Sequence, residues 1–191
     1  MSNSVLSSVL WHNPYDQSAE VCRLIKSPDG FALEGVVLLP ADGAPCRVEY
    51  RVDADRAWRT RRADVRLRAS TTGRELSLTC DDAAHWLVDR EHQERLDGCT
   101  DVDLRFTPAT NTLPIRRLSP ALDQTVEAKA AWVGFPDLEV SPSAQSYERL
   151  GEATYRFRSG DFVADLVVDD AGVVLRYGDD YWRALAHDSG S

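Results

Sequence analysis

The residues able to do chemistry are concentrated between Leu96 and Leu118. This stretch holds one thiol (Cys99), three carboxylates (Asp97, Asp101, Asp103), the amide of Asn111 and the adjacent pair Arg116 and Arg117. Nucleophilic catalysis needs a thiol or hydroxyl beside a His that an acid orients. Cys99, His92 and either Asp97 or Asp101 are the nearest approach to that set. Asp101, Asp103 and Arg105 alternate with Val102, Leu104 and Phe106. In a strand the charged set shares one face with Cys99 and the apolar set shares the other. The charged face then either meets solvent or walls a polar pocket. An Arg fork suits a carboxylate or phosphate ligand, or a neighbouring Asp of the same chain. Asp97, Asp101 and Asp103 lack the pattern of a calcium loop. His12, His85, His92 and His187 have no ligand spacing, so no metal is expected. The sequence contains no nucleophile elbow, phosphate loop or dinucleotide fingerprint, and no cofactor is expected.

Short strands must position these groups. Apolar residues alternate with charged ones in Arg47–Val52, where Val48, Tyr50 and Val52 share a face. They alternate again in Ala63–Ala69 and around Leu76 and Leu78. Further strands are expected at Val21–Ile25, Phe31–Leu39, Trp86–Val88, Glu127–Phe135, Thr154–Phe157, Phe162–Val168, Val173–Tyr177 and Tyr181–Ala186. Ser141–Leu150 reads as an edge strand or a short helix. Residues 1–10 read as frayed, and Thr107–Pro114 as irregular because its prolines cannot join a ladder. Turn signals fall at Ser27–Gly30, Asp42-Gly43, Thr72-Gly73, Asp81-Asp82, Ser159-Gly160, Asp170–Gly172 and Gly178–Asp180. With no long stretch of helical period, the fold class is all-β or β-dominated.

The two halves echo each other. Tyr50-Arg51-Val52, Ala63-Asp64-Val65, Thr72-Gly73 and Asp81-Asp82 before Trp86 recur as Tyr155-Arg156-Phe157, Ala164-Asp165-Leu166, Ala171-Gly172 and Asp179-Asp180 before Trp182. This predicts an internal duplication within one domain spanning 1–191. The related halves are about 20–95 and 120–187, joined by 96–118.

A chain of 191 residues can bury a sizeable core, and 43% hydrophobic with 28% charged residues is ordinary for a globular protein. The net charge of −9 argues against nucleic acid and against anionic membranes as partners. No window is apolar enough to span a bilayer, so an integral membrane protein is not expected. Met1–Leu10 has neither basic residues nor a long apolar core, so the expected location is cytoplasmic. Cys22, Cys46, Cys80 and Cys99 lie far apart, as buried reduced thiols do. Trp11, Trp58, Trp86, Trp132 and Trp182 recur near strand ends, as core anchors or cavity walls. Oligomeric state is not readable from the sequence.

The run Leu96–Cys99, Asp101–Leu104, Thr107-Pro108 and Thr110–Leu118 closely resembles a bacterial family of putative glycolipid-binding proteins, formerly a domain of unknown function. Tyr50–Val52 with Trp58-Arg59 and Arg61, Ala131–Val133 with Phe135-Pro136, Gln145 with Tyr147, and Tyr155–Phe157 with Ser159 extend the likeness over roughly Glu20–Leu185. The resemblance implies a spiral β-roll of many short antiparallel strands with a duplicated unit. It also implies a comparison with lipoprotein carriers, whose half-open sheets hold acyl chains. No catalytic residue is carried over. The expected function is non-catalytic binding of a glycolipid or other amphipathic small molecule. Trp58, Trp132 and aliphatic residues would meet its apolar part, and Asp101, Asp103, Asn111, Arg116 and Arg117 its head group. The alternatives are an enzyme built on Cys99, His92 and nearby carboxylates, or an assembly module that meets a partner through an apolar sheet face.

Overall fold

The structure, a computed structural model, describes residues 3–41, 43–69, 73–179 and 181–190. Asp42, Thr72 and Asp180, each part of an expected turn, lie outside the described residues. The first half runs through β1 (Ser4–Asn13), β2 (Ser18–Ser27), β3 (Gly30–Ala41), β4 (Ala44–Asp55), β5 (Thr60–Ala69), β6 (Gly73–Cys80), β7 (Trp86–Val88) and β8 (Glu91–His92). Next come β9 (Asp101–Leu104), a 3-10 turn at Ala109–Asn111 and a short helix, α1 (Thr112–Leu118). The chain continues with β10 (Thr125–Val133), β11 (Val140–Arg149), β12 (Thr154–Ser159), β13 (Phe162–Val168), β14 (Val174–Tyr177) and β15 (Trp182–Ser189).

All fifteen described strands join one sheet in the order β8-β7-β6-β5-β4-β3-β2-β1-β15-β14-β13-β12-β11-β10-β9. Each pairing of these strands is antiparallel except β9 with β10. The first and last strands therefore meet in the middle, while β8 and β9, neighbours in sequence, form opposite edges. In a flat sheet, gaps of about 4.8 Å per strand would hold those edges roughly 65 Å apart. The chain from His92 to Asp101 reaches at most about 32 Å. The sheet is bent so that both ends reach the connecting segment. The Thr60 amide of β5 donates to the Thr100 carbonyl, and the Thr100 amide donates to the Lys129 carbonyl of β10.

Binary patterning sets the inner face. Val48, Tyr50 and Val52 are buried, while Arg47, Glu49 and Arg51 point outward. Ala63, Val65 and Leu67 are likewise buried between outward Arg62, Asp64 and Arg66. Segment 96–115 lies against that face and supplies buried Leu96, Val102, Leu104, Phe106, Leu113 and Ile115. The ambiguous stretch 141–150 is a strand, Val140–Arg149.

Two expectations are corrected. Within the stretch expected to be frayed, residues 4–10 belong to β1, which pairs with β2 on one side and β15 on the other, burying Val9 and Trp11. Its serines disguise it, because Ser7 faces inward at 1% exposure and is satisfied by hydrogen bonds. The stretch Thr107–Pro114, expected to be irregular, instead holds the 3-10 turn and the start of α1, whose last turn carries Arg116 and Arg117. Pro114 permits this because a helix's first turn has amide groups with no intrahelical acceptor, so a missing N–H costs nothing there. The helix stops at Ser119, whose φ is 41° and whose amide donates to the Ile115 carbonyl at 3.1 Å.

One echoed strand pair keeps its register. Arg51 faces Asp64 across β4–β5, and Arg156 faces Asp165 across β12–β13. The tryptophan pairs differ by one place: Cys80, directly before Asp81, faces Trp86, whereas Tyr177, two residues before Asp179, faces Trp182.

Candidate functional site

The two carboxylates of β9 project from one face but meet different surroundings. Asp101 is 1% exposed, and Arg117 of α1 grips it with both prongs, Nε to Oδ1 at 3.1 Å and Nη2 to Oδ2 at 2.5 Å. Thr100 Oγ1 adds a third donor at 3.0 Å. Burial pushes the Asp101 carboxyl above its ordinary range, against the pull of Arg117. This pair ties α1 to β9 and has little acceptor capacity left for a ligand.

Asp103 is half-buried and lines a cavity of about 470 Å³. Gln145 Nε2 donates to its Oδ2 at 2.6 Å, and Thr110 Oγ1 to its Oδ1 at 3.4 Å. Burial pushes its carboxyl up to about 6, with both donors opposing the shift. An aromatic wall faces it, formed by Trp132 of β10, Phe157 of β12, Phe162 of β13, Tyr177 of β14, and Tyr181 and Trp182. Tyr177 links that wall, its ring stacked 6.1 Å from Phe162 and tilted 6.1 Å from Tyr181. Hydroxyls of Ser143 and Ser159 lie 3.0 Å apart on the same lining. Asn111 also lines the cavity; its Oδ1 accepts from Tyr147 at 3.0 Å and its Nδ2 donates to the Pro108 carbonyl. A second depression of about 670 Å³ shares Arg105, Trp132 and Ser141 with the first.

Behind the cavity lies a group that the motifs did not reveal. Glu20 of β2 is 1% exposed, and burial pushes its carboxyl up to about 8. Tyr50 Oη and Thr107 Oγ1 both donate to Oε1, the latter at 2.8 Å, while Oε2 has no partner among the described residues. Tyr50 reaches Glu20 by crossing β3 at Gly35, where a Cβ would stand 2.4 Å from the Tyr50 ring. Thr107 also lines the cavity, so Glu20 is one hydrogen bond away from it. The signal in the sequence was the alternation Glu20, Cys22, Leu24, which places Glu20 on the buried face of β2.

The remaining sequence candidates divide clearly. Asp103, Asn111 and Trp132 line the cavity; Asp101 and Arg117 form the buried pair beside it. Trp58 and Arg116 are not among its lining residues. Trp58 stacks on Phe31 at 3.6 Å, and the Arg116 guanidinium lies 5.4 Å over its indole. Cys99 and His92 are not brought together. His92 Nε2 is 3.0 Å from Asp97, and burial raises the pKa of the Cys99 thiol. Ser7, His187 and Asp169 do meet, but His187 Nε2 contacts both the serine at 3.2 Å and the carboxylate at 2.8 Å. A proton relay needs the two ring nitrogens used separately, so this cluster stitches β1 to β15 instead. Among the described residues, no group of three or more His, Cys, Asp or Glu is placed to hold a metal, and no helix is long and apolar enough to cross a membrane. On the outer face, Leu10 and Val21 face each other across β1–β2, 36% and 53% exposed.

The model of the family described as "Putative glycolipid-binding" matches residues 8–183. The chain belongs to this family. It is also similar to the crystal structure of a DUF1089 family protein, PA1994, from Pseudomonas aeruginosa. Identity is 34% and the TM-score 0.78, over 88% of this chain and 92% of that one. No curated protein matches the chain. The family match spans both halves of the sheet and includes every cavity residue named above.

Proposed function

We propose that this member of the glycolipid-binding family is a non-catalytic binding protein whose ligand is an amphipathic molecule of the glycolipid class. The carrying observation is the cavity in which an aromatic wall faces the Asp103 carboxylate. Its volume, about 470 Å³, lies in the range of small-molecule sites, which combine apolar walls with a few polar groups. The lack of a nucleophile–base pair at Cys99 and His92 supports binding over catalysis. The shared Arg–Asp register of β4–β5 and β12–β13 supports a duplicated unit, and the bent sheet supports a spiral roll.

The test is native mass spectrometry, with organic extraction, of protein purified from its own host. A co-purifying amphiphile is expected, and returning it to stripped protein should raise the Tm. Ligand at a hundred times its Kd stabilises a fold by about 2.7 kcal/mol. If no lipid co-purifies and no added lipid shifts the Tm, the reading fails.

A further inference from the structure

Resting on that reading, we infer that the cavity is the sugar subsite: it receives an uncharged, hydroxyl-bearing ring, and the apolar tail leaves through the mouth. An ionised carboxylate offers about four acceptor positions. Gln145 and Thr110 fill two around Asp103, leaving about two for ligand hydroxyls. An acyl chain in the same place would strip water from that carboxylate and return no hydrogen bond, which is costly. Aromatic faces carry partial negative charge. The rings of Trp132, Tyr177 and Trp182 thus offer apolar, weakly negative surfaces to the C–H face of a sugar ring. The one hydroxyl hydrogen left over from the Ser143–Ser159 bond and the second amide hydrogen of Asn111 supply donors.

Charge selects among rings. Among the described residues, Arg105 is the one cationic side chain on the lining, and its Nη1 already donates to the Phe135 carbonyl at 3.3 Å. A carboxylated or phosphorylated ring would face Asp103 with only that partly engaged partner. The tail has its own surface at the mouth. Phe162 and Tyr181 are 46% and 42% exposed there, and Tyr15 lies 5.9 Å from Tyr181.

The experiment uses the full chain, calorimetry and four probes: methyl glucoside, octyl glucoside, octyl glucuronide and decan-1-ol. Octyl glucoside should bind, methyl glucoside should compete with it, and octyl glucuronide should bind at least tenfold more weakly. Asp103→Asn should weaken octyl glucoside at least tenfold and change decan-1-ol less than twofold. The competition on the unaltered protein needs no variant, so the inference stays testable if Asp103→Asn misfolds. If decan-1-ol binds, methyl glucoside does not compete, and Asp103→Asn tightens the alcohol, the cavity holds the tail; the sugar inference then falls and the ligand-binding reading stands. If no probe binds and no host lipid co-purifies, both fall.

Discussion

At the scale of the residue, burial decides what each carboxylate does. Asp101 and Asp103 are two positions apart and share a face, yet one is clamped by Arg117 and the other opens on the cavity. The sequence showed the shared face but not the fork, because Arg117 reaches Asp101 only once 112–118 is helical. Removing one partner of a buried ion pair leaves the other uncompensated, at about 3–5 kcal/mol. Arg117→Ala should therefore destabilise the protein by about that much in urea unfolding at pH 8. The loss should shrink at low pH, where Asp101 can take up a proton. Glu20 gives a second prediction. Its folded pKa, about 8, lies above the ordinary 4.5, so the native state holds a proton that the unfolded chain releases. That contribution is complete below about 4.5 and is lost as pH rises through about 8. A tenfold difference in proton affinity between the folded and unfolded states corresponds to about 1.4 kcal/mol. Unfolding free energy should fall by a few kcal/mol between pH 5 and 9, and much less in Glu20→Gln. Equal slopes in both proteins would reject the assignment.

At the scale of the element, the strands were legible and the exceptions have physical causes. Alternation located β4 and β5 because one face is charged and the other apolar. It missed β1, whose inward positions include Ser7 and Asn13. It also missed α1, since a proline in a seven-residue segment reads as a strand breaker. Asp103, Asn111 and Trp132, which line the cavity, were singled out from the sequence as expected ligand contacts. The rest of the aromatic wall was not, because its residues come from separate strands that only the sheet order brings together. Trp182 read, with the other tryptophans, as a core anchor or a cavity wall, and nothing in its spacing tied it to Phe157. β1 tests the element account directly, since it sits between β2 and β15. Deleting residues 1–13 exposes two ladders and removes buried Val9 and Trp11. The shortened chain should lack a cooperative thermal transition; a native-like transition would show that β15 can pair with β2 unaided.

At the scale of the whole molecule, the bent sheet and segment 96–118 depend on each other. The segment fills the inner face, and its polar groups are met from both halves: Thr107 by Glu20 and Tyr50, Asn111 by Tyr147. Were the sheet flat, Tyr50 on β4 and Tyr147 on β11 would be far apart. Instead they touch residues four positions apart. The cavity lies where the second half leaves part of this filling uncovered, so the plug that completes the core also supplies the polar floor of the site.

The meeting of β1 and β15 at the centre of the sheet also governs how the protein is made. β1 leaves the ribosome first, and its second partner follows after about 170 further residues. At roughly 5–20 residues per second, that is on the order of 10–30 s of synthesis. Through that interval a nascent sheet carries an unpaired strand along its margin, the arrangement that invites pairing with other chains. The serines that hid β1 from a hydrophobicity pattern make that waiting edge less adhesive than a run of valine and isoleucine would be.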